Sequence, residues 1–480
     1  FSVASLRSAS EQTIINKFMD AYWEDPVVAM KWLFYTRDCR EGLGERRLFR
    51  IVLKHLAQNK PEVIKAVFSF APIYGRYDDL WCLLDTDLKQ SVIFVVAEQL
   101  TEDRVNMKNG KSVSLLGKWL PSENASSKKT KRYAGIIRKG LDMTSRNYRK
   151  MLSDLRKHID VVERKMSAKE WAGINYEAVP SRANLIYNDA FLRNDEDRRR
   201  AYLGALEKGE AKINASVLFP HDIVHKYAYA YNRVDAALEG MWKALPDTVK
   251  GCGNTIVVAD GSGSMTCNVG GNSGVTALEV ANALAIYFAE HSSGDFKDKY
   301  ITFCERPQLV DLSQGKNLRE KLAIARQHNE VANTNIEAVF DLILSTAVNN
   351  HMRQEDIPAN ILIVSDMEFD SCATSGKPAT RSGWYMSSRV RPTATLFETI
   401  AKKYAAHGLQ LPRLVFWNVN SRTGTIPVKN NDLGVALVSG FSVNIVKMVM
   451  SNKTDPYECL LETLNCERYQ AVEDAIKDIL

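Results

Sequence analysis

An apolar run, Thr255-Ile-Val-Val-Ala259, ends in Asp260-Gly-Ser-Gly-Ser264 and sets one carboxylate and two hydroxyls on a single glycine-bearing turn. Oxygens at that spacing suit a hard cation such as magnesium, which takes oxygen ligands in near-octahedral geometry and keeps some waters. Two further segments offer the same chemistry. Ile361-Leu-Ile-Val-Ser-Asp366 is another apolar run ending in a carboxylate, and Asn333-Thr-Asn335 brings the Thr334 hydroxyl to the start of an apolar-periodic stretch. Asp260, Ser262, Ser264, Thr334 and Asp366 thus make an all-oxygen donor set, with little to offer zinc or copper, which prefer His or Cys. Each segment also has a plainer reading: a polar turn, a helix cap at Thr334, or a solvated strand-end carboxylate at Asp366. Their occurrence together favours the cation.

Other candidate chemistry is thinner. His221 and His225 lie one helical turn apart, a spacing that can hold zinc, but no general-base Glu stands between them and no third ligand follows. Packing and capping explain them better. The charges of Arg37-Asp38-x-Arg40 and Glu45-Arg46-Arg47 read as salt bridges between helices, and Asp78-Asp79 as paired acid on a turn. The turn at Asp260 lacks the Gly-Lys-Ser/Thr ending of a phosphate-binding loop and is not a Gly-x-Ser-x-Gly nucleophile elbow. No Ser–His–Asp or Cys–His grouping is evident.

A second kind of chemistry is suggested by charge. The 480-residue chain carries a net charge of +6, yet residues 111–170 hold 16 Lys or Arg against 6 Asp or Glu. That segment alone is +10, so the other 420 residues sum to −4. Lys128, Lys129, Lys131, Arg132, Arg138, Lys139, Arg146, Arg149 and Lys150 are its candidate RNA contacts, continued by Arg156 and Lys157, with Tyr133, Tyr148 and Trp119 interleaved. Phosphates are neutralised by Lys and Arg, and unpaired bases stack on aromatic rings. The alternatives are a solvated cationic helix face with core tyrosines, or a surface for an acidic protein.

The elements that must position these residues differ between the two halves. Apolar residues recur at helical spacing over 14–23, 27–35, 47–57, 61–70 and 88–100, with further helices expected over 147–166, 196–209 and 233–244. Residues 121–131 read as an exposed loop. Short helices in succession suggest stacked helical hairpins, although no strict sequence period appears. The pattern changes near Gly251. Strands are expected at 255–259, 300–304, 360–365, 413–418 and 434–438, and helices at 275–291, 318–327, 336–349, 395–407 and 468–480. Residues 441–450 should begin as a loop and continue as a helix. Such alternation predicts a doubly wound, mostly parallel sheet, whose ligand sites lie at the carboxyl ends of its strands. The expected organisation is α + α/β, with a helical domain over 1–250 and an α/β domain over 251–480.

Composition is that of an ordinary globular protein, 45% hydrophobic and 25% charged. A chain this long is expected to form two or three domains. No transmembrane helix and no secretory apolar core are predicted; the chain opens on Phe1 rather than Met, which leaves its true start open. The eight cysteines include no Cys-x-x-Cys pair, which argues against a zinc ribbon or disulfide framework and for an intracellular, reducing, cytoplasmic setting.

The motifs carry two resemblances. Residues 251–480 resemble a von Willebrand factor A domain, with Asp260-x-Ser-x-Ser264, Thr334 and Asp366 in the positions of its metal-ion-dependent adhesion site. That resemblance implies a magnesium ion, or another divalent cation, held directly or through water, with one position open to a carboxylate from a protein partner. Asn335 stands where many members have Asp, and Ala332-Asn333 replace the usual glycines, so weaker cation binding is expected. Trp32-Leu-Phe-Tyr-Thr-Arg-Asp-Cys-Arg-Glu-Gly-Leu-Gly-Glu-Arg-Arg-Leu-Phe49 and Tyr74-Gly-Arg-Tyr-Asp-Asp-Leu-Trp81 are similar to TROVE-like proteins. These relatives of the Ro ribonucleoprotein autoantigen include a poorly characterised family of viruses, phages and plants. They join a HEAT-like helical half to a carboxyl-terminal A domain, and in the Ro branch the helices form a ring that binds RNA. The expected function is a non-enzymatic, RNA-binding ribonucleoprotein scaffold with a magnesium-dependent docking site. The alternatives are a protein-interaction or particle-assembly module without nucleic acid and, more weakly, a metal-dependent hydrolase, for which no general base is identifiable.

Overall fold

Runs of β-branched and aromatic residues form the centre of a six-stranded sheet: β1 (Thr255–Asp260), β2 (Lys299–Phe303), β3 (Leu309–Asp311), β4 (Asn360–Ser365), β5 (Arg413–Asn418) and β6 (Ala436–Ser439). The order is β3-β2-β1-β4-β5-β6. All neighbours are parallel except β3, which runs antiparallel to β2 at the edge. β1 is buried at every position, as a central parallel strand covered on both faces must be. In the computed structural model, residues 3–229, 233–249, 254–269, 274–329, 335–366, 394–420, 436–440 and 456–480 are described.

Helices cover both faces of the sheet. Ile256 and Val258 of β1, Ile361 and Ile363 of β4 and Phe416 of β5 alternate onto one face. They cluster there with Phe340 and Ile343 of the helix Ile336–Asn349 and with Phe397 and Tyr404 of the helix Ala394–Ala406. On the other face, Phe288 of the helix Ala277–His291 meets Trp417 of β5 edge to face at 6.5 Å. That helix starts in a capping box: Thr276 Oγ1 accepts from the Glu279 N–H, and Glu279 Oε2 accepts from the Thr276 N–H. The result is the mixed, mostly parallel α/β half expected from the sequence. β3 was not expected. Three residues at an antiparallel edge are too short for an alternation signal.

Contacts divide the chain into two units that are not sequential. One comprises residues 1–9 and 206–463, the other residues 10–205 and 464–480. The helices Pro220–Tyr229 and Ala236–Lys243 therefore belong with the sheet. Trp242 Nε1 donates to Glu290 at 2.7 Å, and the buried Glu239 accepts from Tyr227 and from the backbone N–H groups of Leu318 and Arg319, opening the helix Leu318–Gln327. A carboxylate at a helix amino end is favoured by the unsatisfied N–H groups there.

The other unit is helical. Glu11–Glu24, Pro26–Arg37 and Arg47–Asn59 pack on one another, and the helix Glu467–Ile476 packs against Pro26–Arg37. Arg37-Asp38 forms the ion pairs expected of it. Arg37 Nε meets Asp79 at 2.7 Å, and the fully buried Asp38 takes both Arg468 and the Tyr469 hydroxyl. Two expectations need correction. Ser127 accepts from the Thr130 N–H and starts a helix at Lys128, so the predicted loop 121–131 ends earlier. The predicted helix 147–166 is two helices, Ser145–His158 and Val162–Ser167, separated at Asp160, whose φ is +57°. Among the described residues no helix is long and apolar enough to cross a membrane.

Candidate functional site

The strand order places a topological switch point between β1 and β4, where successive connections leave in opposite directions. Asp260 ends β1, and Asp366 follows β4 directly. Ala259 pairs with Val364, so the two carboxylate-bearing positions lie at adjoining strand ends. Both are deeply buried, at 1% and 0% exposure. Asp260 accepts from the Ser262 N–H at 2.9 Å and from Ser365 Oγ at 2.6 Å, while Ser262 Oγ and Ser264 Oγ lie 3.0 Å apart. The turn is anchored by Met265, which is fully buried in the short helix Gly263–Thr266.

Burial pushes the Asp260 carboxyl up to about 6, with the nearby Asp366 adding to the rise; the hydrogen bonds from Ser365 and Ser262 pull the other way. The Asp366 carboxylate thus disfavours ionisation of Asp260, and a bound cation would remove that penalty. Carboxylates and hydroxyls are also the donors that magnesium prefers. Asp260, Ser262, Ser264 and Asp366 therefore fit a hard divalent cation. Thr334 lies outside the described residues. Asn335 is committed to the protein: its side chain accepts from the Ala338 N–H at 3.1 Å and caps the helix Ile336–Asn349.

The basic segment folds into two consecutive helices, Lys128–Gly140 and Ser145–His158. Lys128, Lys129, Lys131, Lys139, Arg146, Arg149 and Lys150 are exposed on them, and among the described residues none is held in an ion pair. Arg132 is exposed but bridged to Asp85 at 2.7 Å. Arg138 is half-buried, bound to Glu123 and to the Met143 carbonyl. Arg156 turns inward and donates to the carbonyls of Gly117 and Leu120 and to Ser122 Oγ, fixing the stretch that precedes the first basic helix.

The expected stacking role of Tyr133 and Tyr148 is not met. Both rings are buried because their hydroxyls reach inward partners, Tyr133 to Asp85 at 2.8 Å and Tyr148 to the Pro121 carbonyl at 2.9 Å. Trp119 differs. It is half-buried and lines two clefts of about 560 and 620 Å³ in the helical unit, with the Arg76 guanidinium 4.5 Å from its ring centre. Sequence reasoning missed these clefts, since their walls come from residues far apart in the chain.

The remaining candidates are structural. His221 stacks on Phe219, and His225 Nδ1 meets Glu279 at 3.0 Å. Among the described residues no group of three or more His, Cys, Asp or Glu converges as a metal site. Cys82 lines the smaller cleft, but burial pushes its thiol up to about 12, which leaves it protonated and a poor nucleophile.

Two family models match the chain. Residues 254–476 match a domain of unknown function, DUF7788, and residues 125–255 match another, DUF2828. Neither description names a von Willebrand factor A or TROVE domain. The chain is similar to the uncharacterized protein L728 of Acanthamoeba polyphaga mimivirus, 30% identical over 97% of this chain and 84% of that one. Among solved structures it is similar to the RO (RSR) protein of Deinococcus radiodurans, at 14% identity and a TM-score of 0.43, covering 89% of this chain and 92% of that one.

Proposed function

We propose that this chain, which belongs to one family with the mimivirus protein L728, is an RNA-binding scaffold whose sheet unit carries a magnesium-dependent docking site. The observation that carries the RNA reading is the row of exposed cations on Lys128–Gly140 and Ser145–His158, none of them neutralised by a carboxylate among the described residues. Seven unpaired cations on consecutive helices cost self-repulsion that an anionic polymer relieves, with release of its counterions. The sequence resemblance to TROVE-like proteins favours the same ligand. Structured and single-stranded RNA would both bind, with strong salt dependence and little sequence preference.

For the sheet unit, Asp260, Ser262, Ser264 and Asp366, completed by Thr334, would hold the cation at the switch point. The cation would supply a Lewis-acidic position for a carboxylate of a protein partner. Around it, Ser365 and the Ser262 N–H orient Asp260, and the anchored Gly263–Thr266 turn keeps both serine hydroxyls together. We assign recognition rather than catalysis to this site, as its resemblance to a metal-ion-dependent adhesion site implies.

The test is fluorescence anisotropy with labelled RNA on the wild type and on a variant carrying Lys128→Ala, Lys131→Ala, Lys139→Ala, Arg146→Ala and Lys150→Ala. Binding that falls at least tenfold in the variant supports the reading. Equal, negligible binding by both chains points instead to an assembly module without nucleic acid.

A further inference from the structure

The smaller cleft of the helical unit has a chemistry that the exposed cations do not explain. Its aromatic wall is Trp81, Trp119 and Tyr133; its cations are Arg50, Lys54 and Lys129; its acids are Glu11 and Asp78. Local structure fixes most of these groups. Arg50 and Lys54 are four apart on Arg47–Asn59 and so share a face. Trp81 Nε1 donates to the Trp119 carbonyl at 3.2 Å, joining two walls. Gly117 makes the approach of Trp119's segment possible, since a Cβ there would sit 2.7 Å from the Leu155 Cβ. Lys129 stands in the first turn of its helix with its ammonium 5.6 Å from the Tyr133 ring centre.

The electrostatics are uneven within the cleft. Arg50 is already engaged, bridging Asp78 Oδ2 and Asp79 Oδ1, each at 2.7 Å. Lys54 and Lys129 are in no ion pair among the described residues. Asp78 Oδ1 is buried and accepts no hydrogen bond from the described residues. That oxygen is closed off from the cleft and takes no part in binding a ligand there. The cleft thus offers aromatic surface and two ammonium groups outside any ion pair among the described residues, within about 560 Å³, a size that suits a small-molecule ligand.

We infer that this cleft binds a single unstacked nucleotide: its base lies on Trp119, and its phosphate meets Lys54 and Lys129. The ligand class is a nucleoside monophosphate, supplied by an unpaired RNA residue or by a free nucleotide. The RNA source rests on the scaffold reading given above; the free nucleotide does not. Aromatic stacking and lysine–phosphate contact are the sequence-tolerant part of recognition.

The experiment titrates the full chain with CMP, UMP, cytidine and a 5′-phosphorylated oligocytidylate, read by calorimetry, alongside Trp119→Leu and Lys54→Ala. Thermal unfolding confirms that both variants are folded. CMP and UMP are expected to bind alike, CMP to bind more tightly than cytidine by fivefold or more, and each variant to weaken CMP about tenfold. Lys54→Ala keeps the test decisive if Trp119→Leu unfolds. Equal binding of CMP and cytidine overturns the phosphate assignment. Oligocytidylate binding that ignores both variants but falls on removal of the exposed cations overturns the cleft and leaves the scaffold standing. CMP binding without oligocytidylate binding keeps the cleft, with free nucleotide as its ligand, and overturns the scaffold. No binding of any ligand overturns both.

Discussion

Asp260 is where ionisation and cation binding meet. Its native carboxyl titrates near 6 rather than at the ordinary 3.8, chiefly because of burial. The native state therefore holds its proton more tightly than the unfolded chain does, and stability falls as pH rises from about 4 to 6. Above that window the ionised group costs about 3 kcal/mol in the metal-free protein. Asp260→Asn should relieve this cost: in chelator, its advantage over wild type in urea unfolding should grow between pH 4 and pH 7. A pH-independent difference would show that the buried charge is compensated by other means. Millimolar magnesium should raise the thermal midpoint of the wild type at pH 7.5 and leave Asp366→Ala unmoved. Binding at a hundredfold excess over the dissociation constant contributes about 2.7 kcal/mol. The strand-end placement of Asp260 and Asp366 was legible in the sequence, because a carboxylate at the end of an apolar run marks a strand end. The Ser365 hydroxyl on Asp260 was not, since it depends on β1 and β4 being neighbours.

At the scale of elements, the two basic helices show which cations bind outward and which hold the fold. Arg156 and Lys150 look alike in sequence. Yet Arg156 makes three hydrogen bonds to the 117–122 stretch, while Lys150 is exposed. Arg156→Ala should cost about 2 kcal/mol, from lost charged hydrogen bonds to backbone carbonyls; Lys150→Ala should change stability by less than about 0.5 kcal/mol. Chemical unfolding of the two variants separates them, and equal effects would contradict the assignment. β1, β4 and β5 were readable as continuous apolar runs. The start of the helix at Lys128 was not, because Lys-Lys-Thr-Lys gives no apolar periodicity before Tyr133. Tyr133 and Tyr148 looked like stacking surfaces because aromatic residues among cations fit RNA and core equally well; only their hydroxyl partners decide.

At the scale of the molecule, the carboxyl-terminal helix belongs with the amino-terminal helices. Lys31 meets Glu473 at 2.6 Å, Tyr74 stacks on Tyr469, and buried Asp38 binds Arg468 and Tyr469. These pairs span some 400 residues and leave no local signal in sequence, so a boundary at residue 250 was the natural reading of a change in periodicity. Arg468→Ala leaves Asp38 buried with its main cationic partner gone, at a cost of about 3–5 kcal/mol. The helical unit should then unfold at lower denaturant. An unchanged midpoint would mean that this helix contributes little to the unit.

RNA binding by the helices Lys128–Gly140 and Ser145–His158 is tested most directly by its salt dependence. The logarithm of the association constant for a single-stranded RNA should fall linearly with the logarithm of salt concentration. The five-alanine variant should bind more weakly at every salt concentration, with a slope shallower by about 3.5, as expected for five lost phosphate contacts at roughly 0.7 each. Identical slopes and affinities for the two chains would contradict an RNA role for this surface.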